Sequence, residues 1–119
     1  MVMLKLKLKM YHYYNITDVP EPLNKPEVTS HSSNSITLRW DPSTASLLDY
    51  YILEFSRDNF FSETYTVVPN IENNNYTMDG LDPETTYSAR VSASNVFGRG
   101  RASPSVHKTT KAGPGTAII

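Results

Sequence analysis

The chain has 119 residues, no cysteine and a formal net charge of −1, the size of one ordinary domain with no disulfide framework, thiolate nucleophile or thiolate zinc site. Leu, Ile, Val and Phe make up about 23% of it, just above the roughly 20% below which a chain rarely buries a core. No apolar stretch reaches the ~18 residues of a membrane span, and Lys5, Lys7 and Lys9 interrupt the leucines where a signal peptide needs an unbroken run, so the chain as written is expected neither to cross a membrane nor to be secreted.

The chain begins with an alternation of Leu and Lys over residues 1–10, the period of a strand with one apolar face, with no partner of similar pattern close behind it. Residues 11–24 are polar and aromatic. Pro20, Pro22 and Pro26 then disfavour helix and predict an extended linker entering an edge strand. A short strand is expected near residues 27–30. In Ile36-Thr37-Leu38-Arg39-Trp40 the apolar residues share one face, and Asp41-Pro42 ends the run. In Tyr51-Ile52-Leu53-Glu54-Phe55 the inward set is Tyr51, Leu53 and Phe55. Residues 56–59 read as a turn, and residues 63–68 as a third alternating run that Pro69 stops. Asn73 to Asn75 form a polar turn before Tyr76-Thr77-Met78. The clearest alternation sets Tyr87, Ala89, Val91 and Ala93 inward and Ser88, Arg90, Ser92 and Ser94 toward water. Gly98 and Gly100 supply a tight connection to a last strand near residues 105–110. Seven strands with turns every 8 to 12 residues or so predict an all-β fold, two sheets covering each other's apolar faces.

The most informative stretch is Gly80-Leu81-Asp82-Pro83-Glu84-Thr85-Thr86-Tyr87. Its turn delivers Tyr87 to the start of a strand, where the ring packs inward and the hydroxyl can bond a backbone group a few residues upstream, the tyrosine corner of Greek-key sandwiches. With Pro26, Trp40, Tyr51 and the run Arg90-Val91-x-Ala93-x-Asn95-x-x-Gly98-x-Gly100, the chain resembles a fibronectin type III domain. An immunoglobulin domain would carry cysteine two residues after the corner tyrosine, where this chain has Ala89. The resemblance implies a seven-stranded immunoglobulin-like sandwich over residues 22–111, an N-terminal extension or linker over 1–21, a C-terminal linker over 112–119, both extensions flexible, and a structural core built on Trp40, Tyr51, Leu81 and Tyr87.

Lys25-Pro26-Glu27-Val28-Thr29, residues 51–56 and Val67-Val68-Pro69-Asn70 resemble domains of neuronal guidance and adhesion receptors, the roundabout receptors in particular. That resemblance implies a noncatalytic module of a larger receptor at the extracellular face of the plasma membrane, a spacer between adjacent immunoglobulin or fibronectin type III domains and a contact for protein or heparan sulfate. The alternatives are an intracellular structural module of a giant muscle-type protein, or an accessory domain of a receptor phosphatase or extracellular enzyme.

No signature of catalysis is present: His12, His31 and His107 belong to no HExxH, and neither GxSxG nor a glycine-rich phosphate loop occurs. No cofactor, metal or small-molecule substrate is expected. Nucleic acid is not expected either, since the acids of the middle region repel phosphate. Residues 10–87 hold all twelve acids against three bases, whereas residues 88–119 hold five bases and no acid. Arg90, Arg99, Arg101 and Lys108, with His107 nearby, are therefore the candidate ligand contacts, since forked guanidiniums on a loop suit sulfate or carboxylate. The same arginines can equally be a solvated edge that discourages aggregation. Arg99-Gly100-Arg101 lacks the carboxylate of Arg-Gly-Asp, so integrin binding is not expected. Asn15-Ile16-Thr17 and Asn75-Tyr76-Thr77 are candidate glycosylation sites, about as many as composition alone produces. Phe60 and Phe61, with Tyr65, form a candidate contact patch or pack over the sheet edge.

Overall fold

The computed structural model describes residues 18–45, 47–57 and 65–114. The alternating run at residues 1–10, Asn15, Phe60 and Phe61 lie outside the described residues. The strands are β1 (Glu27–His31), β2 (Ile36–Arg39), β3 (Tyr50–Arg57), β4 (Thr66–Ile71), β5 (Asn75–Met78), β6 (Thr86–Asn95), β7 (Gly98–Arg99) and β8 (Val106–Thr109). They form a three-stranded sheet in the order β1-β2-β5 and a five-stranded sheet in the order β4-β3-β6-β7, with β8 also on β6. Every pairing is antiparallel.

Strand alternation decides what lies between the sheets. Ile36, Leu38 and Trp40 come from β2 and its end, Tyr51 and Leu53 from β3, Met78 from β5, and Tyr87, Ala89, Val91 and Ala93 from β6; together with Leu23, Ile71, Leu81 and Val106 they make one buried cluster. The indole of Trp40 meets the Tyr51 ring edge-on, centroids 5.5 Å apart at 70°, the arrangement that the ring quadrupoles favour. Two reciprocal bonds hold the Trp40 backbone at the end of β2: its amide N–H donates to the Asn74 carbonyl at 3.0 Å and its carbonyl accepts from Asn74 Nδ2 at 3.0 Å. The Tyr51 hydroxyl accepts the Ser43 amide at 2.8 Å. The corner forms as its residues imply, with the Asp82 amide donating to the Tyr87 hydroxyl at 3.0 Å, so both tyrosine rings are buried with their hydroxyls satisfied, whereas the buried indole N–H of Trp40 has no hydrogen-bond partner among the described residues.

Three expectations change. Pro69 does not stop the third run: β4 continues through it to Ile71, and because β4 is an edge strand its missing N–H leaves no ladder bond unmade. The last strand is split into β7 and β8, which pair with β6 in different registers, so eight segments replace the seven expected. Ser88, Ser92 and Ser94 point to the outer face, as their phase requires, but they are buried. β6 has strands on both sides, and longer neighbours roof the small hydroxyls: Arg99 Nε donates to Ser92 Oγ at 2.8 Å, and His107 Nδ1 lies 2.6 Å from Ser88 Oγ.

Candidate binding surfaces

The four candidate contacts do not converge. Arg90 lies opposite Glu54 across the β3–β6 ladder, and its Nε donates to Glu54 Oε1 at 3.0 Å. Arg99, opposite Ser94, directs Nη2 to the same oxygen. The Glu54 carboxylate is only 3% exposed, beneath guanidiniums that keep 33% and 39% of their surface. A buried carboxylate needs such charge partners, so two of the arginines expected to meet a ligand are engaged within the sheet. Arg101 is exposed and has no ion pair among the described residues.

Lys108 lies elsewhere. It sits opposite Tyr87 in the β6–β8 ladder, on the inner side of its sheet, while Arg90 and Arg99 occupy the outer side. Seven residues of β6 separate Tyr87 from Ser94, which at about 3.3 Å per residue sets the Lys108 and Arg99 positions about 23 Å apart. The strand break after β7 brings β8 beside β1, where the two edge strands approach each other. There the Lys111 amide donates to the Ser32 carbonyl at 2.9 Å, tying one sheet's edge to the other. His31, opposite Ile36 on the inner side of β1, faces the same seam. Its pKa is lowered by partial burial and then by the ammonium groups of Lys108 and Lys111.

A second surface lies at the opposite pole. Residues 18–23, expected as linker, lie against the β6–β7 turn, Pro20 and Leu23 buried. Asn95 Nδ2 donates to the Asp18 carbonyl at 3.0 Å, while Asn95 Oδ1 accepts the Phe97 amide at 2.9 Å. Gly100 makes this approach possible. A Cβ there would stand 2.1 Å from the Pro20 carbonyl oxygen. The glycine reads in sequence as turn chemistry, but what requires it is contact with a segment 80 residues away in the chain. Between this strap and residues 41–45 of the β2–β3 loop is an open cleft of about 450 Å³ with Asp18, Glu21 and Asp41 on its walls. Val19 and Phe97 expose apolar surface beside it.

Asn75 is the exposed first residue of β5. The Ser88–His107 pair has the composition of a nucleophile and base, but the serine is fully buried and out of reach of a substrate. Among the described residues no group of three His, Asp or Glu side chains lies together to hold a metal, and no helix is long and apolar enough to cross a membrane. Tyr65 and Val67 are exposed along the β4 edge.

Sheets ordered β1-β2-β5 and β4-β3-β6-β7/β8, closed by a tyrosine corner without a cysteine pair, define an immunoglobulin-like sandwich of the fibronectin type III kind. The family model for the fibronectin type III domain matches residues 20–109, and the chain belongs to that family. Such a domain is ordinarily a noncatalytic module. Over 93 residues the chain is 37% identical to Roundabout homolog 2 of Homo sapiens, covering 76% of this chain and 7% of that protein. Over 91 residues it is 31% identical to Receptor-type tyrosine-protein phosphatase S of Gallus gallus, covering 76% of this chain and 6% of that one. The chain thus spans less than a tenth of the curated relatives it matches. Among solved structures, titin domains A168–A170 superpose with a TM-score of 0.69 at 30% identity, over 79% of this chain and 33% of that one. The fibronectin type III domain of human fibronectin type III domain containing protein 3 superposes with a TM-score of 0.70 at 25% identity, over 85% of this chain and 94% of that one.

Proposed function

We propose that the chain is a spacer and contact module of a cell-surface adhesion or guidance receptor. The observation that carries the reading is the docked strap: residues 18–23 are held by Asn95 and by the close approach of Pro20 to Gly100, so the chain enters the sandwich in a fixed direction. A module that sets the angle to whatever precedes it needs such an entry, whereas a tethered binding domain works with a loose one. The likeness to a roundabout receptor and a receptor phosphatase supports placement at the cell surface, where Asn75 would be open to glycosylation. Its partners are neighbouring sandwich domains, protein ligands and heparan sulfate.

The likeness to titin favours a second reading, an intracellular structural module. Staining separates the two: an epitope tag placed after residue 114 and read on intact cells expressing the parent protein is expected to be accessible. Staining only after permeabilisation would reject the surface reading.

A further inference from the structure

Of the five bases in residues 88–119, the structure neutralises Arg90 and Arg99 on Glu54 and gathers Lys108 and Lys111 beside His31. We propose that the seam between β1 and β8, carrying His31, Lys108 and Lys111, is a binding site for the sulfate groups of a sulfated polysaccharide. The inference takes the cell-surface reading as the source of the ligand; the site's chemistry does not depend on it.

Three observations support the assignment. The seam is where the two sheets' edge strands meet, and His31 and Lys108 both occupy inner-side positions there, beside the apolar Val28 and Val106 that pack on the core. The hydrogen bond from the Lys111 amide to the Ser32 carbonyl ties the backbone that carries Lys111 to the residue after His31, so the three positions are held together by the fold. Among the described residues none of the three forms an ion pair, while Arg57, which like Lys108 lies opposite Tyr87, is already paired with Asp82. Glu84 is tied to the seam, its amide donating to the Lys111 carbonyl at 3.1 Å, and its side chain forms no ion pair among the described residues. No ionisable side chain lies opposite His31 on β2, where its partner is Ile36, and the β1–β2 turn at residues 32–35 carries none.

Ammonium groups are compact point charges that do not demand the planar two-oxygen geometry a guanidinium reads. They suit a sulfate ester, which presents three oxygens in a tetrahedral arrangement. The acids Asp18, Glu21 and Asp41 gather at the opposite pole, so a polyanion is attracted to the seam and repelled from the strap. The state of His31 gives the site a pH dependence with a definite sign. Partial burial and then the Lys108 and Lys111 ammonium groups lower its pKa; a bound sulfate favours the imidazolium, so binding raises that pKa and tightens as pH falls.

The test is titration of the purified chain with a heparin oligosaccharide, read by amide chemical shifts and by isothermal calorimetry. Shifts are expected at residues 31, 108 and 111, and N- and O-desulfated heparin should give none. Lys108→Gln/Lys111→Gln should weaken binding roughly two- to thirtyfold, the range that two exposed charge contacts carry. Glu84→Gln should tighten it, and Arg101→Gln should change it less than twofold. Affinity should rise from pH 7 to pH 5.5, and His31→Gln should flatten that rise. The proposal is overturned if heparin shifts no resonance, if the shifts map instead to residues 99–101, if the double lysine variant binds as wild type with an unchanged melting temperature, or if polyglutamate competes as well as heparin. Should the double variant fail to fold, the shift map on wild type and the Glu84→Gln variant decide. A failure here with intact-cell staining retained refutes the site alone; the converse refutes only the location.

Discussion

Gly100→Ala tests whether the strap is part of the domain. Gly100 has no unusual backbone angle, so alanine costs nothing intrinsic there and the penalty comes from space alone. The added methyl would lie 2.1 Å from the Pro20 oxygen and 3.0 Å from its carbonyl carbon. That is more than about 1 Å inside van der Waals contact, and the obstructing atoms are backbone, which cannot turn aside as a side chain does. The strap must therefore lift. Lifting removes the Asn95–Asp18 bond, worth about 1 kcal/mol, and uncovers part of Pro20, so a total of about 1–3 kcal/mol is expected, the usual range for overpacking. For a domain of this size each kcal/mol moves the midpoint by about 4–8 °C, so Tm should fall by about 5–20 °C in a calorimetric melt. The decisive control is a chain trimmed to begin at Glu21, which lacks the Pro20 carbonyl. In that background Gly100→Ala should cost less than ~0.5 kcal/mol, a difference that a double-mutant cycle resolves. Equal penalties with and without the strap, or no penalty in the full chain, would refute the reasoning.

Trp40→Ala should cost about 3–5 kcal/mol in urea denaturation, because the largest buried side chain of the core leaves a cavity beside Tyr51; a wild-type midpoint would contradict the packing described. Tyr87→Phe keeps the ring and removes only the acceptor for the Asp82 amide, so about 1 kcal/mol is expected in the same assay, and a loss above ~3 kcal/mol would mean that the ring itself had moved. Glu54→Gln leaves Arg90 and Arg99 without their shared charge; since both guanidiniums keep about a third of their surface in water, the cost should be about 1–2 kcal/mol, below the 3–5 of a wholly buried pair. The same change should free Arg99, read as faster exchange of its Nε proton by NMR.

Local chemistry made much of the fold legible. A two-residue period over residues 36–40, 51–55 and 87–93 places side chains on alternate faces whatever the rest of the chain does, and the corner from Gly80 to Tyr87 encodes a turn, a strand start and a buried phenol within eight consecutive positions. Those signals act between near neighbours in the chain, so the sequence alone determined the strands, the sandwich and the core around Trp40 and Tyr87. The fate of the charges is a different kind of fact. Glu54 meets Arg90 and Arg99 across separations of 36 and 45 residues, Lys111 reaches Ser32 from the far end of the chain, and Pro20 rests on Gly100. None of these pairs has a periodicity linking its members. Strand order and register, set by the burial of the core as a whole, decided which bases are neutralised within a sheet and which are left at the seam, because an electrostatic partner is chosen by distance in space and the chain records only distance along itself.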